Sequence, residues 1–185
     1  MNHISVSKEV GKYCHSNRNV YDILDTVLFG SVAKNIPNPK DVDILVIHNN
    51  SAFDKVQKIH DNDGCVDDIQ RFQLLDKILQ EHDYPSVKGV MSNNVIADAI
   101  SRNLLNLRYL HKNFFHDTNY FADEISRNMD PKFFDNLFDY GLLWNPDSER
   151  YDIPINKKYS LLKNEHYKAK ACTSILRERS MKLSR

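Results

Sequence analysis

Apolar positions along the chain recur with two periods, and the switches between them predict the elements. Between residues 18 and 25 (RNVYDILD), Val20, Ile23 and Leu24 share one helical face, so the spacing predicts a helix there. TVLFGS then reads as a short buried strand ending at Gly30, and DVDILVI as a second strand of β-branched residues. Pro37 and Pro39 lie between the two and let neither structure continue, which predicts a hairpin with a long connection. Residues 53–60 and 68–81 carry helical spacing, with Ile69, Phe72, Leu75, Ile78 and Leu79 forming an apolar stripe on the second. YPSVKGVM predicts a third strand.

Beyond Ser92 the pattern turns helical. Ile96, Ile100, Leu104, Leu107 and Leu110 recur every three or four residues after the capping candidates Ser92 and Asn93, which predicts one long helix. Asp130 and Pro131 make a cap and first-turn pair for a helix over 131–140. Phe133, Phe134, Leu137 and Phe138 supply its buried face and Gly141 its stop. Residues 145–159 read as extended, and Ser160 caps a last helix to about Lys182. The expected architecture is a single α+β domain. Residues 1–91 would hold a small mixed sheet with its helices, and residues 92–185 a helical extension.

Composition narrows the class. The chain has 185 residues, 41% of them hydrophobic and 10% aromatic, enough to build a core and too many for a disordered chain. No run approaches the roughly 18 apolar residues of a membrane helix, and MNHISVSKEV lacks the apolar centre of a secretory signal. A soluble, cytoplasmic protein with no membrane association is expected. Cys14, Cys65 and Cys172 are odd in number, far apart and in no C-x-x-C pair, so they read as reduced thiols. The excess of Asn and Asp over Ala and Gly is the bias of an AT-rich genome such as a phage.

The candidate chemistry lies in LFGSVAKNIPNPKDVDILVI. Alternate side chains of a strand point the same way, so Asp41 and Asp43 share a face while Val42 and Ile44 enter the core. Neighbouring carboxylates repel unless a cation joins them, and ligands that are all oxygen favour Mg²⁺ or Mn²⁺ with substrate phosphates. Gly30 permits close backbone approach, and Ser31 can donate its hydroxyl and amide to phosphate oxygens. These features together point to a nucleoside triphosphate (NTP) substrate.

At these residues the chain resembles the DNA polymerase beta-like nucleotidyltransferase superfamily. That signature is an apolar residue, Gly, then Gly or Ser, a spacer, and Asp-x-Asp; here it reads Phe29, Gly30, Ser31, a spacer, Asp41, Val42, Asp43. Ala33 and Lys34 echo the G-S-x-A-R-G variant of the minimal members, with Asn35 in place of the last Gly. The resemblance covers residues 18–48. It implies catalytic metals on Asp41 and Asp43, a triphosphate along Gly30 and Ser31, and transfer of a nucleoside monophosphate to a hydroxyl; the acceptor is expected to be RNA, protein or a small molecule, and Lys34, just past the turn, is a further expected triphosphate contact.

The family also places a third carboxylate on a neighbouring strand. If YPSVKGVM is that strand, its position falls near Lys88 and Gly89, which carry no acid, with Asp83 just before. If GCVDDI is the strand, Asp67 or Asp68 serves, although RFQLLDKIL suggests that one of them caps a helix instead. Asp68 is the expected third catalytic acid. The alternative is a catalytically inactive nucleotidyltransferase-like binding protein, as a viral effector or antitoxin-like module would be, which accounts for the missing acid.

Charge is polarised along the chain. Residues 157–185 carry nine basic side chains against Glu165 and Glu178, a local +7, which leaves −7 on the rest of a chain with no net charge. A basic C-terminal helix could attract an RNA or protein acceptor, with Lys163, Lys170, Arg177 and Arg179 as the contacts. Its other face, with Leu161, Leu162, Tyr167, Ile175 and Leu176, suits packing. His111 and His116 lack the spacing of a helical zinc pair. The aromatic zone from Phe114 to Trp144 reads mainly as core.

Overall fold

The computed structural model describes residues 2–63, 67–115, 117 and 131–159. Among them, α1 (His3–Ser16) opens with Asn2 accepting a hydrogen bond from the Ile4 amide. Val6, Val10 and Cys14, four residues apart, bury its inner face. Asn17 ends the helix, and residues 18–22 form turns with Asp22 at φ 53°. The helix expected at 18–25 is therefore absent: its apolar residues belong partly to the turns and partly to β1 (Ile23–Phe29).

The chain then runs α2 (Gly30–Ala33), β2 (Val42–His48), α3 (Ser51–Asp63) and α4 (Asp68–Glu81). Both strands and both longer helices match the sequence expectation. YPSVKGVM does not form a strand. Val87 and Val90 are its buried residues, and that three-residue spacing fits the 3₁₀ helix Lys88–Ser92 rather than a pleat.

The long helix expected from Ser92 to Leu110 is two elements. Asn93 caps α5 (Asn94–Ser101) by accepting from the Val95 and Ile96 amides. Asn103, at φ 54°, then stops it. The Leu104 amide donates to the Ala99 carbonyl and the Asn103 amide to that of Ile100, the paired bonds of a Schellman end. The chain leaves this end as β3 (Leu105–His111), in which Leu105 and Tyr109 are buried on one face. Next come α6 (Pro131–Tyr140), β4 (Leu142–Asn145) and β5 (Arg150–Pro154).

The fold is α+β around one five-stranded mixed sheet of order β3-β2-β1-β4-β5. β2 and β3 run parallel and the other pairs antiparallel. Three of the five strands come from beyond residue 91, so the back of the chain is not the helical extension expected. The helix expected at 160–182, with its basic contacts, and Cys65, His116 and Cys172 lie outside the described residues.

Each sheet face carries its own core. Val27, Phe29, Leu45, Ile47 and Leu110 pack against Leu137 and Phe138 of α6. On the other face Leu28, Val42, Ile44 and Leu105 pack against Val6 and Val10 of α1 and Ile96 and Ile100 of α5. Val46 and Tyr109 meet Phe53, Val56, Leu75 and Leu79 of α3 and α4. Phe114, Phe138 and Trp144 are buried, so the aromatic zone contributes these rings to the core. Among the described residues no helix is long and apolar enough to cross a membrane.

Candidate functional site

The site forms where β1 ends beside the start of β2. Phe29 pairs with Asp43, and Gly30 turns the chain out of the strand at φ +70°, a conformation glycine tolerates and side-chain-bearing residues resist. A Cβ on Gly30 would collide with Asp43 Oδ2 and stand 2.9 Å from its Cγ. Glycine is thus required here both by the backbone and by the carboxylate lying on it. Ser31 follows, half-buried in the first turn of α2.

The end of α2 explains Asn35. It adopts φ 54°, with its amide donating to Val32 and the Ile36 amide to Ser31. This is the left-handed position of a Schellman end, where Asn is the usual substitute for Gly. Lys34 caps the helix and extends toward α6, where its ammonium bonds the Asn136 side chain and lies 4.6 Å from the centre of the Tyr140 ring. Its cation is therefore already engaged.

Asp41 and Asp43 occupy the N-terminal rim of β2, with Val42 and Ile44 between and beyond them fully buried on the opposite face. Burial, and then the charge of Asp41, push the Asp43 carboxyl up to about 6. The Asn106 amide and the Arg108 guanidinium act in the opposite sense. Asp41 is half-buried, and no hydrogen bond or ion pair engages it among the described residues.

The neighbouring strand is β3, and its residue opposite Asp43 is Asn106. Asn106 Nδ2 donates to Asp43 Oδ1 at 2.8 Å. The strand beside the acidic pair thus presents an amide where the superfamily resemblance implies an acid. Two residues on, Arg108 is exposed on the same face, with its guanidinium carbon 5.4 Å from the centre of the Phe133 ring. Phe133 meets Phe29 edge to face at 5.3 Å.

Asp68 lies at the start of α4, capped by Asp67, whose carboxylate accepts from the Gln70 amide. Asp68 Oδ2 accepts from the Leu105 amide at 3.1 Å, and Oδ1 stands 3.8 Å from Arg71. Its own amide donates to Asn103. Burial raises the Asp68 carboxyl, the Leu105 bond and Arg71 oppose this, and the charge of Asp41 adds to the rise. Asp68 therefore anchors α4 to the start of β3 within electrostatic reach of Asp41. Asp83 sits at the far end of α4, exposed, at φ 64°. Among the described residues no group of three or more His, Cys, Asp or Glu side chains is placed to share a metal ion.

Sequence reasoning missed Asn106 and Arg108 because the leucines around them were read at helical spacing. The alternation of Leu105, Leu107 and Tyr109 was the available signal for a strand. No protein-family model matches the chain, and no curated protein matches it.

Proposed function

We propose that the chain binds an NTP with Mg²⁺ or Mn²⁺ at the rim formed by Gly30, Ser31, Asp41 and Asp43, and transfers its nucleoside monophosphate to a hydroxyl acceptor. The observation that carries this reading is the Asp43 carboxylate lying on the bare α-carbon of Gly30, beside the Ser31 turn and within repulsive range of Asp41. Asp41 and Asp43 would hold the cation. The donors are hard oxygens, and their repulsion is what a divalent ion relieves. When bound, the metal supplies charge neutralisation on the phosphates and the departing pyrophosphate.

The chain's own residues do the rest. Gly30 lets the Asp43 carboxylate lie against the backbone at the turn, and the Ser31 amide and hydroxyl are donors for phosphate beside it. Asn106 holds Asp43 Oδ1 from one side, which leaves Oδ2 over the Gly30 turn. Asp68 keeps β3 in place through Leu105, and so fixes Asn106 beside Asp43. Asn106 accepts no proton at working pH, so the acceptor's proton passes to water. A phosphate-rich acceptor such as RNA also suits the sequence charge of residues 157–185.

Asn106 also favours a second reading, in which the protein binds the metal–nucleotide without transferring it. An amide adds neither the negative charge nor the base of a third carboxylate. Purified protein incubated with each α-labelled NTP, Mg²⁺ or Mn²⁺ and pooled acceptors separates the two. Label transfer lost in the Asp41→Ala, Asp43→Ala double variant supports the enzyme. Retained nucleotide binding with no transfer supports the second reading, and absence of binding contradicts both.

A further inference from the structure

The end of the sheet away from the Gly30 turn holds a cavity of about 240 Å³, where α1 finishes and β1 begins. Its buried lining is Cys14, Thr26 and Trp144, and its exposed rim is Arg18, Leu24 and Pro146. Trp144 packs on the α1 face of the sheet with Leu28, Val42 and Ile44, whereas Asp41 and Asp43 lie on the other face. The cavity is thus separated from the nucleotide rim by both the end and the face of the sheet. We infer that it binds a small monocarboxylate, with an apolar body of one ring or branch and a neutral oxygen at its far end.

The buried lining presents donors that lack acceptors. Trp144 Nε1 is buried with no hydrogen-bond partner among the described residues. Thr26 Oγ1 accepts from the Tyr151 hydroxyl at 3.0 Å, which leaves its own proton to donate. An unmet buried donor is unfavourable, and a ligand oxygen seated beside it relieves that cost. Cys14 adds no charge, since burial pushes its thiol up to about 12. Two neutral donors suit a hydroxyl, ether or carbonyl oxygen and offer no counter-charge for a buried anion.

The cation stands at the rim. Arg18 Nη1 bonds the His15 carbonyl at 3.1 Å and a ring nitrogen of His15 at 2.9 Å. Among the described residues every side-chain bond of Arg18 goes to His15, and none to a carboxylate. Its Nε–Nη2 edge is left open, the geometry that takes a carboxylate through two parallel bonds. The acid in the cavity wall, Asp25, is already held by Lys158 Nζ at 2.7 Å and by the Tyr159 hydroxyl. One guanidinium therefore matches one negative charge, and Ile23, Leu24 and Pro146 supply the apolar wall for the body between. The volume, just under the roughly 300 Å³ at which ligand pockets begin, suits a single ring rather than a nucleotide.

Trp144 is the chain's one tryptophan, so its fluorescence reports occupancy of the cavity directly. The probes are para-hydroxyphenylacetate, its neutral amide, phenylacetate, which lacks the second oxygen, and inorganic phosphate. Each is titrated into the full chain by fluorescence and by calorimetry, for wild type, Arg18→Gln and Arg18→Lys. Expected is saturable binding of the hydroxy acid to the wild type with a Kd of about 1 mM or tighter, and a change in Trp144 emission, whether or not an ATP analogue is present. The amide should bind the wild type at least tenfold more weakly, and phenylacetate at least threefold more weakly. Arg18→Gln should bind acid and amide alike, and Arg18→Lys should recover part of the loss. No saturable binding of the hydroxy acid, binding without a change in Trp144 emission, or an unchanged Kd in Arg18→Gln overturns the inference. Amide, phenylacetate or phosphate binding the wild type as tightly as the hydroxy acid overturns it as well.

Discussion

The carboxylate of Asp43 rests against the α-carbon of Gly30, so the residue that turns the chain out of β1 also sets where the acid on β2 can lie. Gly30→Ala therefore meets two obstacles, a positive φ and a collision with Asp43 Oδ2. The expected result is a stability loss of about 1–3 kcal/mol, from the backbone strain and the shift of the carboxylate. Affinity for Mn²⁺ with an ATP analogue should fall at least tenfold. Thermal unfolding and calorimetric titration check the two parts separately.

Asp43 makes the metal-free fold sensitive to pH. Its carboxyl titrates at about 6 in the folded chain against 3.8 for the free group, so the folded state binds the proton more tightly. The sign follows from linkage: this group's contribution is fully present below about 4 and is lost as pH rises through about 6. Asp43→Asn should stabilise the metal-free protein at pH 8, by on the order of 2 kcal/mol. Metal affinity of the wild type should move the other way and tighten as pH rises through 6, since the ligand must be ionised. Denaturant melts at pH 4.5 and pH 8, with and without Mg²⁺, measure both slopes.

Asn106 tests what the site lacks. Asn106→Asp places a third carboxylate opposite Asp43 on β3. The metal-free protein should lose stability through added repulsion, while Mn²⁺ affinity and any nucleotidyl transfer should increase severalfold. Asn106→Ala removes the hydrogen bond to Asp43 and should raise its titration point further, because that bond favours the ionised form. Carbon-detected NMR titration of the Asp43 carboxyl reads this shift.

His48 provides a control for acid sensitivity away from the site. It is fully buried between Phe53, Tyr109 and His111, and burial followed by the charge of His111 lowers it to about 3. The unfolded chain, near 6.5, binds the proton that the folded chain refuses. Stability from this residue is therefore present above 6.5 and lost as pH falls toward 3. His48→Phe should flatten the decline in melting temperature between pH 6.5 and 4.5. An unchanged slope would assign the acid sensitivity to other groups.

Helix ends offer a test of local backbone chemistry. Asn35, Asp83 and Asn103 occupy left-handed positions after α2, α4 and α5, where a chain with five glycines has placed Asn or Asp instead. Asn103→Gly should be neutral or slightly stabilising, and Asn103→Val should cost about 1–2 kcal/mol. Because the Asn103 side chain also accepts from the Asp68 amide, the glycine variant reports how much that bond offsets.

These same residues explain which parts of the fold were legible in the sequence. β1, β2, α3 and α4 follow from clear periods and turn residues. The break at Asn103 was harder to read because Asn stands where Gly would have announced a stop, and Leu104, Leu107 and Leu110 extend the helical count past it. A strand and a helix then compete for the same leucines, and pairing with β2 decides for the strand. The sequence accordingly predicts the neighbour of Asp43 in YPSVKGVM and assigns Asn106 and Arg108 to a helix. The helix expected at 18–25 failed for a related reason: Asp22 adopts a left-handed conformation that its composition does not announce.

The most direct test of the central claim is Mn²⁺ binding followed by electron paramagnetic resonance, in the presence of an ATP analogue, for wild type and the Asp41→Asn, Asp43→Asn double variant. Both side chains keep their shape in the variant while their charge is removed. The prediction is nucleotide-dependent Mn²⁺ uptake by the wild type, weakened at least tenfold in a variant that is folded and no less stable. Equal uptake by the two proteins, or none by the wild type, would contradict a metal–nucleotide site on this rim.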